Sequence, residues 1–278
     1  IIANGNTLTV TGDLDFNAGN KNSTYTIDAG PGDMYFNGTF SHWSTSGTTN
    51  FKVGTGSLNF TPAISIANSG QHIIFTDGGT INFNSNFSDA QNGMTFYSGC
   101  IVNFHGNYTI TGSNITWGGV GTANFYGTGT ITDTKNIIMN DVNIMGSANT
   151  TLTNGAGTFT VKGNFTLNNS STFTMNDNWE LDGNLTNNGG TLSAGAVTLT
   201  MNGNYATIGG TANINLPTLQ IGVTSGSIDA TITINRNTTA TALVMSSSTH
   251  NRTLTLGSSS ITLTITGNLT FNQPSRSS

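Results

Sequence analysis

Apolar and polar residues alternate in short segments along this chain of 278 residues. Three segments show the pattern most clearly: FTVKGNFTL at 159–167, WELDGNLTN at 179–187 and LTMNGNYAT at 199–207. They share the template Φ-x-Φ-x-G-N-Φ, in which Φ is apolar, at a spacing of twenty. Alternation with period two is typical of a β-strand, and Gly- and Asn-rich turns such as NNGGT separate the segments. The pattern predicts a repeat of short strands without helices.

The template recurs about thirteen times, with a mean spacing of about 21 residues. Its second apolar position is filled by Val10, Phe36, Phe60, Phe83, Phe104, Phe125, Ile144, Val161, Leu181, Met201, Ile221, Met245 and Ile265. Such a repeat predicts an all-β fold, a parallel β-helix (β-solenoid) of about 13 coils of roughly 20 residues. It would form a single domain over residues 1–272, followed by a polar tail at 273–278.

The alternative fold is a β-sandwich or a pair of them, because a sandwich also contains many short alternating strands. A sandwich requires hairpins, however, and gives no reason for the same residue type to return at one template position. The residue between the two apolar positions is asparagine in five consecutive copies, namely Asn59, Asn82, Asn103, Asn124 and Asn143. In stacked coils each amide can bond the next, which predicts an outward Asn ladder and favours the solenoid.

Charge is scarce, with 7 Lys and Arg against 12 Asp and Glu, a net charge of −5 and no basic cluster. A phosphate-binding surface needs such a cluster, so we expect no nucleic-acid partner. No apolar run reaches the roughly 18 residues that span a bilayer, and we expect no transmembrane segment. A surface of Thr, Ser and Asn in place of charges favours a secreted, extracellular protein of the cell surface.

The acidic residues offer one candidate for catalysis. Glu180 and Asp182 lie on the same face of one predicted strand and resemble the carboxylate pair of a glycosidase. Coils of twenty residues would place Thr160 and Thr200 beside Glu180, and Lys162 beside Asp182, so the surroundings are polar. Asp13 and Asp15 repeat the spacing in the first coil. We interpret both pairs as solvated surface groups, and predict no catalytic residue and no enzymatic activity.

Metal and cofactor sites are not predicted either. The four histidines, His42, His72, His105 and His250, are far apart and lack the spacing of a zinc site. Asp28 and Asp33 flank a turn whose oxygens could bind calcium, but the acidic Gly-rich repeats of calcium-binding solenoids are missing. We therefore expect no cofactor. Cys100 shares the parity of the core positions and is expected to be an inert thiol.

Two further features suggest contacts at the surface. Asn-x-Ser/Thr sequons fall at the corner of the template, and those at Asn107, Asn164, Asn184 and Asn268 are candidates for N-glycosylation in a line. Trp43, in the segment SHWSTSG, is a candidate aromatic for ligand contact, whereas Trp179 occupies a core position.

The Φ-x-Φ-x-G-N-Φ repeat resembles the right-handed β-helices of filamentous haemagglutinin-type adhesins and autotransporter passengers. Their coils are likewise about 20 residues long and rich in Gly, Asn and Thr. The resemblance covers nearly the whole chain as a periodicity. It implies a secreted surface protein and transfers no catalytic residue.

Self-association is the function that the repeat itself favours. The first copy, LTVTGDLDF, matches the last, LTITGNLTF, so one end could stack on the other end of the next molecule. We expect a non-enzymatic structural protein, the protomer or stalk of a filament. The alternatives are an adhesin or carbohydrate-binding protein that contacts surface glycans, and, third, a β-helix polysaccharide lyase or hydrolase.

Overall fold

The described residues of the computed structural model contain strands and turns but no helix, and they form a parallel β-solenoid. The structure describes residues 1–15, 24–41, 48–66, 72–89, 94–97, 99–111, 115–118, 121–132, 134, 136–153, 155–223, 229–246 and 250–272. All paired strands run parallel in these ranges, which excludes the hairpins of a β-sandwich. The predicted fold class is confirmed.

The chain divides into two compact units, residues 1–141 with 155–157 and residues 142–154 with 158–278. The prediction of one domain over 1–272 is not tested by this division, and the tail at 273–278 lies outside the described residues. The strands of the first unit are β1 (Leu8–Val10), β2 (Leu14–Asp15), β3 (Thr24–Asp28), β4 (Met34–Phe36), β5 (Phe40–Ser41), β6 (Thr48–Lys52), β7 (Ser57–Phe60), β8 (Ile64–Ile66), β9 (His72–Thr76), β10 (Thr80–Phe83), β11 (Phe87–Asp89), β12 (Met94–Tyr97), β13 (Ile101–Phe104), β14 (Tyr108–Ile110), β15 (Ile115–Gly118), β16 (Thr122–Phe125), β17 (Thr128–Thr132) and β18 (Ile137–Met139).

The boundary between the units falls within the next strand. The remaining strands are β19 (Asp141–Ile144), β20 (Asn149–Thr153), β21 (Phe159–Val161), β22 (Phe165–Leu167), β23 (Thr172–Met175), β24 (Trp179–Leu181), β25 (Leu185–Asn187), β26 (Thr191–Ala194), β27 (Thr198–Met201), β28 (Asn204–Gly210), β29 (Ile214–Ile221), β30 (Ala230–Ile234), β31 (Thr238–Met245), β32 (Arg252–Leu256), β33 (Leu263–Ile265) and β34 (Leu269–Phe271).

Each turn of the first unit places strands on three faces. Face 1 has the order β1-β4-β7-β10-β13-β16, and face 3 has the order β3-β6-β9-β12-β15-β18. Face 2 contains the pair β2-β5 and the series β8-β11-β14-β17. Successive strands of a face come from successive turns, so residues one turn apart in the sequence lie side by side.

The second unit repeats these faces with one change. In this unit face 1 has the order β19-β22-β25-β28-β30-β32, and face 3 includes β21-β24-β27. The eight-residue strands β29 and β31 then serve two faces. β29 and β31 pair with each other in both halves. The first half of β31 also pairs with β33. The second half of β29 pairs with β27, and the second half of β31 pairs with β34. Face 2 is a separate sheet only as far as β26.

Aromatic columns fill the core of the first unit. On face 1 the rings of Phe36, Phe60, Phe83, Phe104 and Phe125 stack with centroids 5.1, 5.5, 5.4 and 5.1 Å apart. Strands of a sheet lie about 4.8 Å apart, so identical side chains in register stack face to face. All five are at most 1% exposed. The recurring phenylalanine of the template is therefore the central column of the core.

The solenoid has fewer turns than the sequence has copies of the template, in part because the copies do not all lie on one face. Ile144 is on face 1, whereas Val161, the next copy, is on face 3 of the same turn. Asn143 consequently aligns with Thr166 and not with Thr160, which aligns with Glu180. The single outward column expected from the sequence is thus divided between faces 1 and 3, and the last copy, at Ile265, aligns with Ala240 on face 2.

The template glycine allows neighbouring turns to approach at the corner after the strand. A Cβ placed on Gly183 would collide with the carbonyl group of Gly163, one turn earlier. The backbone of Gly183 is not in the left-handed region. Close contact between turns, and not an unusual dihedral angle, requires glycine at this corner.

Candidate functional site

An ordered row of amides runs along face 1 of the first unit. Asn82 Nδ2 donates to Asn59 Oδ1 at 2.8 Å, Asn103 Nδ2 to Asn82 Oδ1 at 2.7 Å, and Asn124 Nδ2 to Asn103 Oδ1 at 2.8 Å. Strand register places these four residues side by side. We call Asn59, Asn82, Asn103 and Asn124 the amide row. Asn143, the fifth predicted member, lies in the second unit, beside Thr166.

The amide row ends at a carboxylate. Asn59 Nδ2 donates to Ser57 Oγ at 2.8 Å and to Met34 O at 3.3 Å, and Ser57 Oγ donates to Asp33 Oδ1 at 2.7 Å. Every amide in the row donates towards Asp33. Hydrogen bonds aligned in one direction polarise one another, and a charged acceptor strengthens the last bond. Asp33 thus anchors the row electrostatically.

The row is less exposed than the sequence suggests. Asn59 is only 8% exposed, and the other three side chains are half-buried.

Asp33 and Asp28, considered above for calcium, both accept hydrogen bonds from backbone N–H groups: Asp33 Oδ1 from Ser57 N at 3.0 Å, and Asp28 Oδ1 from Gly30 N at 3.0 Å. These carboxylates therefore have structural partners on the protein itself.

The acidic pair lies on face 3 of the second unit. Glu180 aligns with Thr160 on one side and Thr200 on the other, as the twenty-residue spacing predicts. Lys162 Nζ lies 2.8 Å from Asp182 Oδ2, in an ion pair whose side chains are 48% and 22% exposed. Such an exposed pair contributes less than about 1 kcal/mol.

Burial affects the carboxylates of Glu180 and Asp182 differently. Burial, and then the charge of Asp182, raises the pKa of Glu180. Asn202 Nδ2 donates to Glu180 Oε1 at 3.1 Å. Oδ1 of Asp182 is buried and accepts no bond from a described residue. The hydrogen bond to Asp182 is the first cause of a raised pKa at Lys162, which keeps that ammonium charged. The pair can hold a proton on Glu180 more readily than an isolated glutamate can.

A groove of about 300 Å³ opens on face 2 of the second unit. Its lining consists of Leu192, Ser193, Ala194, Asn215, Leu216, Pro217 and Thr241. It lies where face 2 is interrupted, because no ladder joins β26 to the first half of β29, although both strands are fully described. Pro217 has no N–H to donate at this point, which contributes to the interruption.

The predicted surface residues have different environments. Asn107, Asn164 and Asn268 are exposed, whereas Asn184 is half-buried. Asn184 Nδ2 donates to Asn164 Oδ1 at 2.8 Å, so these two corner amides form a short row of their own. Trp43 and His42 lie outside the described residues, as does the side chain of His72.

The remaining nucleophile and imidazole candidates lie in structural positions. Cys100 is fully buried and donates to Gly78 O at 3.4 Å, and burial raises the pKa of its thiol to about 11. His105 stacks on Tyr126 with ring centroids 4.6 Å apart, and partial burial lowers its pKa. Among the described residues, no three or more His, Cys, Asp or Glu side chains form a group that could hold a metal ion.

Sequence reasoning missed one polar residue that organises a corner. Asn187 is 4% exposed, and its Oδ1 accepts bonds from the backbone N–H groups of Gly189 and Gly190 at 3.1 and 2.9 Å. Its Nδ2 donates to Asn213 O at 3.0 Å. The signal was present in NNGG, because asparagine before glycines commonly folds its side chain over a turn.

Within the described part of the chain, no helix is long and apolar enough to cross a membrane. Comparison of the chain with protein-family models, with curated proteins and with solved structures gives no match.

Proposed function

We propose that the protein is a non-enzymatic, extracellular structural protein, the protomer or stalk of a surface filament whose turns stack end to end. The observation that carries this proposal is that the fold is satisfied turn by turn: on face 1 the phenylalanine column and the amide row each meet the same residue type in the next turn. A repeat of this kind can continue from one molecule into the next. In the last described turn Leu256 and Leu269 are 45% and 52% exposed, whereas Ile234 and Leu243, with which they align, are at most 5% exposed.

The strand edges support the same function. Among the described strands, β32 pairs on one side with β30, and β1 pairs on one side with β4. An open edge in register with an apolar core favours addition of a further strand. A solenoid repeat is also what the resemblance to surface adhesins implies, and it supplies length without requiring a catalytic cleft.

Negative-stain electron microscopy and light scattering over a range of concentrations test this function. We expect fibres with the diameter of a single solenoid and a scattering mass that rises with concentration. A species that stays monomeric at high concentration would contradict filament formation while leaving the fold unaffected.

The groove on face 2 favours a second candidate, an adhesin or carbohydrate-binding protein. Ser193, Asn215 and Thr241 place two hydroxyls and an amide around Leu216 and Pro217, without any charge. Neutral hydrogen-bonding groups around a small apolar floor suit a neutral saccharide. Binding on a glycan array that disappears in Asn215→Ala, and persists in Asn84→Ala outside the groove, would support this candidate. An array without signal above background would remove it.

A further inference from the structure

We propose that the groove on face 2 binds a single ring of a neutral saccharide through the backbone edges of β26 and β29, and not through side chains alone. This inference rests on the second candidate function, carbohydrate binding, and adds to it the groups that bind and the part of the ligand that they hold. It does not depend on filament formation. Three features carry it: the opening between two turns, the direction of the peptide groups that border it, and its apolar floor.

The groove is an opening between two consecutive turns that are joined on both other faces. On face 1, β25 pairs with β28, and on face 3, β27 pairs with the second half of β29. At one end of the groove Asn187 Nδ2 donates to Asn213 O at 3.0 Å. At the other end Thr218 N donates to Val197 O at 3.1 Å. Hydrogen bonds at both ends and a strand along each side therefore set the shape of the opening.

One border of the groove, β26, turns two peptide groups towards it. In a parallel ladder, the N–H and C=O groups of alternate residues face the same neighbouring strand. Thr191 N donates to Ser171 O at 2.8 Å, so the peptide groups of Thr191 face β23. Leu192 and Ala194 lie one and three positions further along the same strand. Their N–H and C=O groups consequently face the groove.

The other border, β29, presents a peptide group from the opposite side. Ile214 N donates to Asn237 O at 3.1 Å, so Ile214 faces β31, and the N–H and C=O groups of Asn215 face the groove. Both β26 and β29 are described in full, and no ladder joins them here. The groove thus offers backbone donors and acceptors without a ladder partner, which proteins satisfy with water or with a ligand.

This arrangement favours hydroxyl groups on the ligand. A strand edge presents N–H donors and C=O acceptors, and a hydroxyl group can accept from the first and donate to the second. None of the described residues that line the groove is charged. A carboxylate, a phosphate or an ammonium group would therefore lose hydration there without meeting an opposite charge. A neutral ring that carries several hydroxyls can bond to both borders at once.

The floor and the size of the groove suit one sugar ring. Leu192 is half-buried and Leu216 is 5% exposed, and both belong to the lining. Their apolar side chains can contact the C–H groups of a ring, while Ser193, Asn215 and Thr241 supply further polar groups around it. The volume of about 300 Å³ lies at the lower end of the range for ligand sites, so we expect one ring and not a long chain to enter.

Backbone amide signals in nuclear magnetic resonance spectra test this contact in the wild-type protein. The probes are glucose, galactose, mannose and N-acetylglucosamine, each added at millimolar concentration. At least one of them should shift the amide signals of Leu192, Ala194 and Asn215. The amide of Thr191, which is bonded to β23, is the internal control and should move much less. Glucuronate, which carries a charge, should move none of the four.

Ala194→Pro tests whether the backbone holds the ligand. Proline removes the N–H that faces the groove and leaves the bonds to β23 in place, as on the open side of an edge strand. The variant should bind the same sugar about tenfold more weakly. Ala194→Gly keeps the N–H, is the matched control, and should bind as the wild type does. Circular dichroism shows whether each variant is folded, and the wild-type amide shifts decide if Ala194→Pro is not.

The outcomes separate this site from carbohydrate binding in general. Shifts at the three groove amides, with weaker binding in Ala194→Pro alone, support the proposed site. A sugar that moves other amides and binds Ala194→Pro as tightly as the wild type overturns the site and leaves carbohydrate binding standing. Tighter binding of glucuronate than of glucose overturns the neutral ligand class. Absence of binding by any sugar, in solution and on the glycan array, overturns the site and carbohydrate binding together.

Discussion

Glu180 and Asn103 occupy outward positions of the same template, yet the fold uses them in opposite ways. Asn103 donates to one neighbour and accepts from the other, so each additional turn satisfies the one before it. Glu180 lies between two threonines, and its charged neighbours are Asp182 and Lys162. A neutral amide can repeat from turn to turn, whereas a carboxylate has to be compensated locally.

This difference predicts how stability depends on pH at Glu180. Since burial raises its pKa, the fold favours the protonated form, and its contribution to the free energy of unfolding declines as pH rises through the raised pKa. Glu180→Gln should equal the wild type near pH 3 and be more stable at pH 7, by less than about 1 kcal/mol because the site is partly exposed. Urea unfolding at several pH values measures this. A loss of stability at pH 7 would mean that Lys162 holds Glu180 as a favourable charge.

We expect the amide row to lose stability when Asn103, which lies between two other members, is replaced. Asn103→Ala removes one donor and one acceptor from a half-buried row, and should lower the free energy of unfolding by about 1–3 kcal/mol. Asn84→Ala removes an exposed amide just after β10 and should change it by less than about 0.5 kcal/mol. Chemical denaturation of both variants gives the comparison. Equal costs would show that the row contributes no more than an ordinary surface amide.

At the scale of the element, alternation was sufficient to predict strands and their inner and outer residues. It could not tell the faces of a turn apart, because every face buries alternate residues behind the same Φ-x-Φ pattern. The copies at Ile144 and Val161 therefore look successive although they belong to one turn. The groove at β26 could not be predicted from the alternation either, because it depends on how β29 bends from one face to the next.

The corner between elements gives a sharper prediction. Gly183→Ala should lower the free energy of unfolding by about 1–3 kcal/mol, because the new Cβ meets the Gly163 carbonyl of the preceding turn. Gly195→Ala is the matched control, since nothing lies within 4 Å of the Cβ that it would introduce. Thermal unfolding of the two variants compares them directly. A harmless Gly183→Ala would show that the turns can separate at this corner.

At the scale of the whole molecule, a solenoid differs from a closed domain because each turn presents strand edges with which the next turn can pair. The aromatic columns and the amide row are satisfied turn by turn, so they set no natural limit to length. In the proposed filament one end of a molecule stacks on the opposite end of the next, and such a directional fibre can be stopped by a molecule that is defective at one end only.

That property yields the last prediction. Leu256→Lys places a charge on the open side of β32, as edge strands do when they avoid pairing, but leaves the first turn intact. The variant should form no fibres alone, yet still add through its first turn to a wild-type fibre and prevent further addition there. A few per cent of it should therefore shorten fibres markedly in electron micrographs. Ile138→Lys, at a side chain of similar exposure (43%) on β18, should shorten nothing. Shortening only in proportion to the wild-type protein that it replaces would show that the blocked molecule does not join the fibre, and would contradict head-to-tail growth.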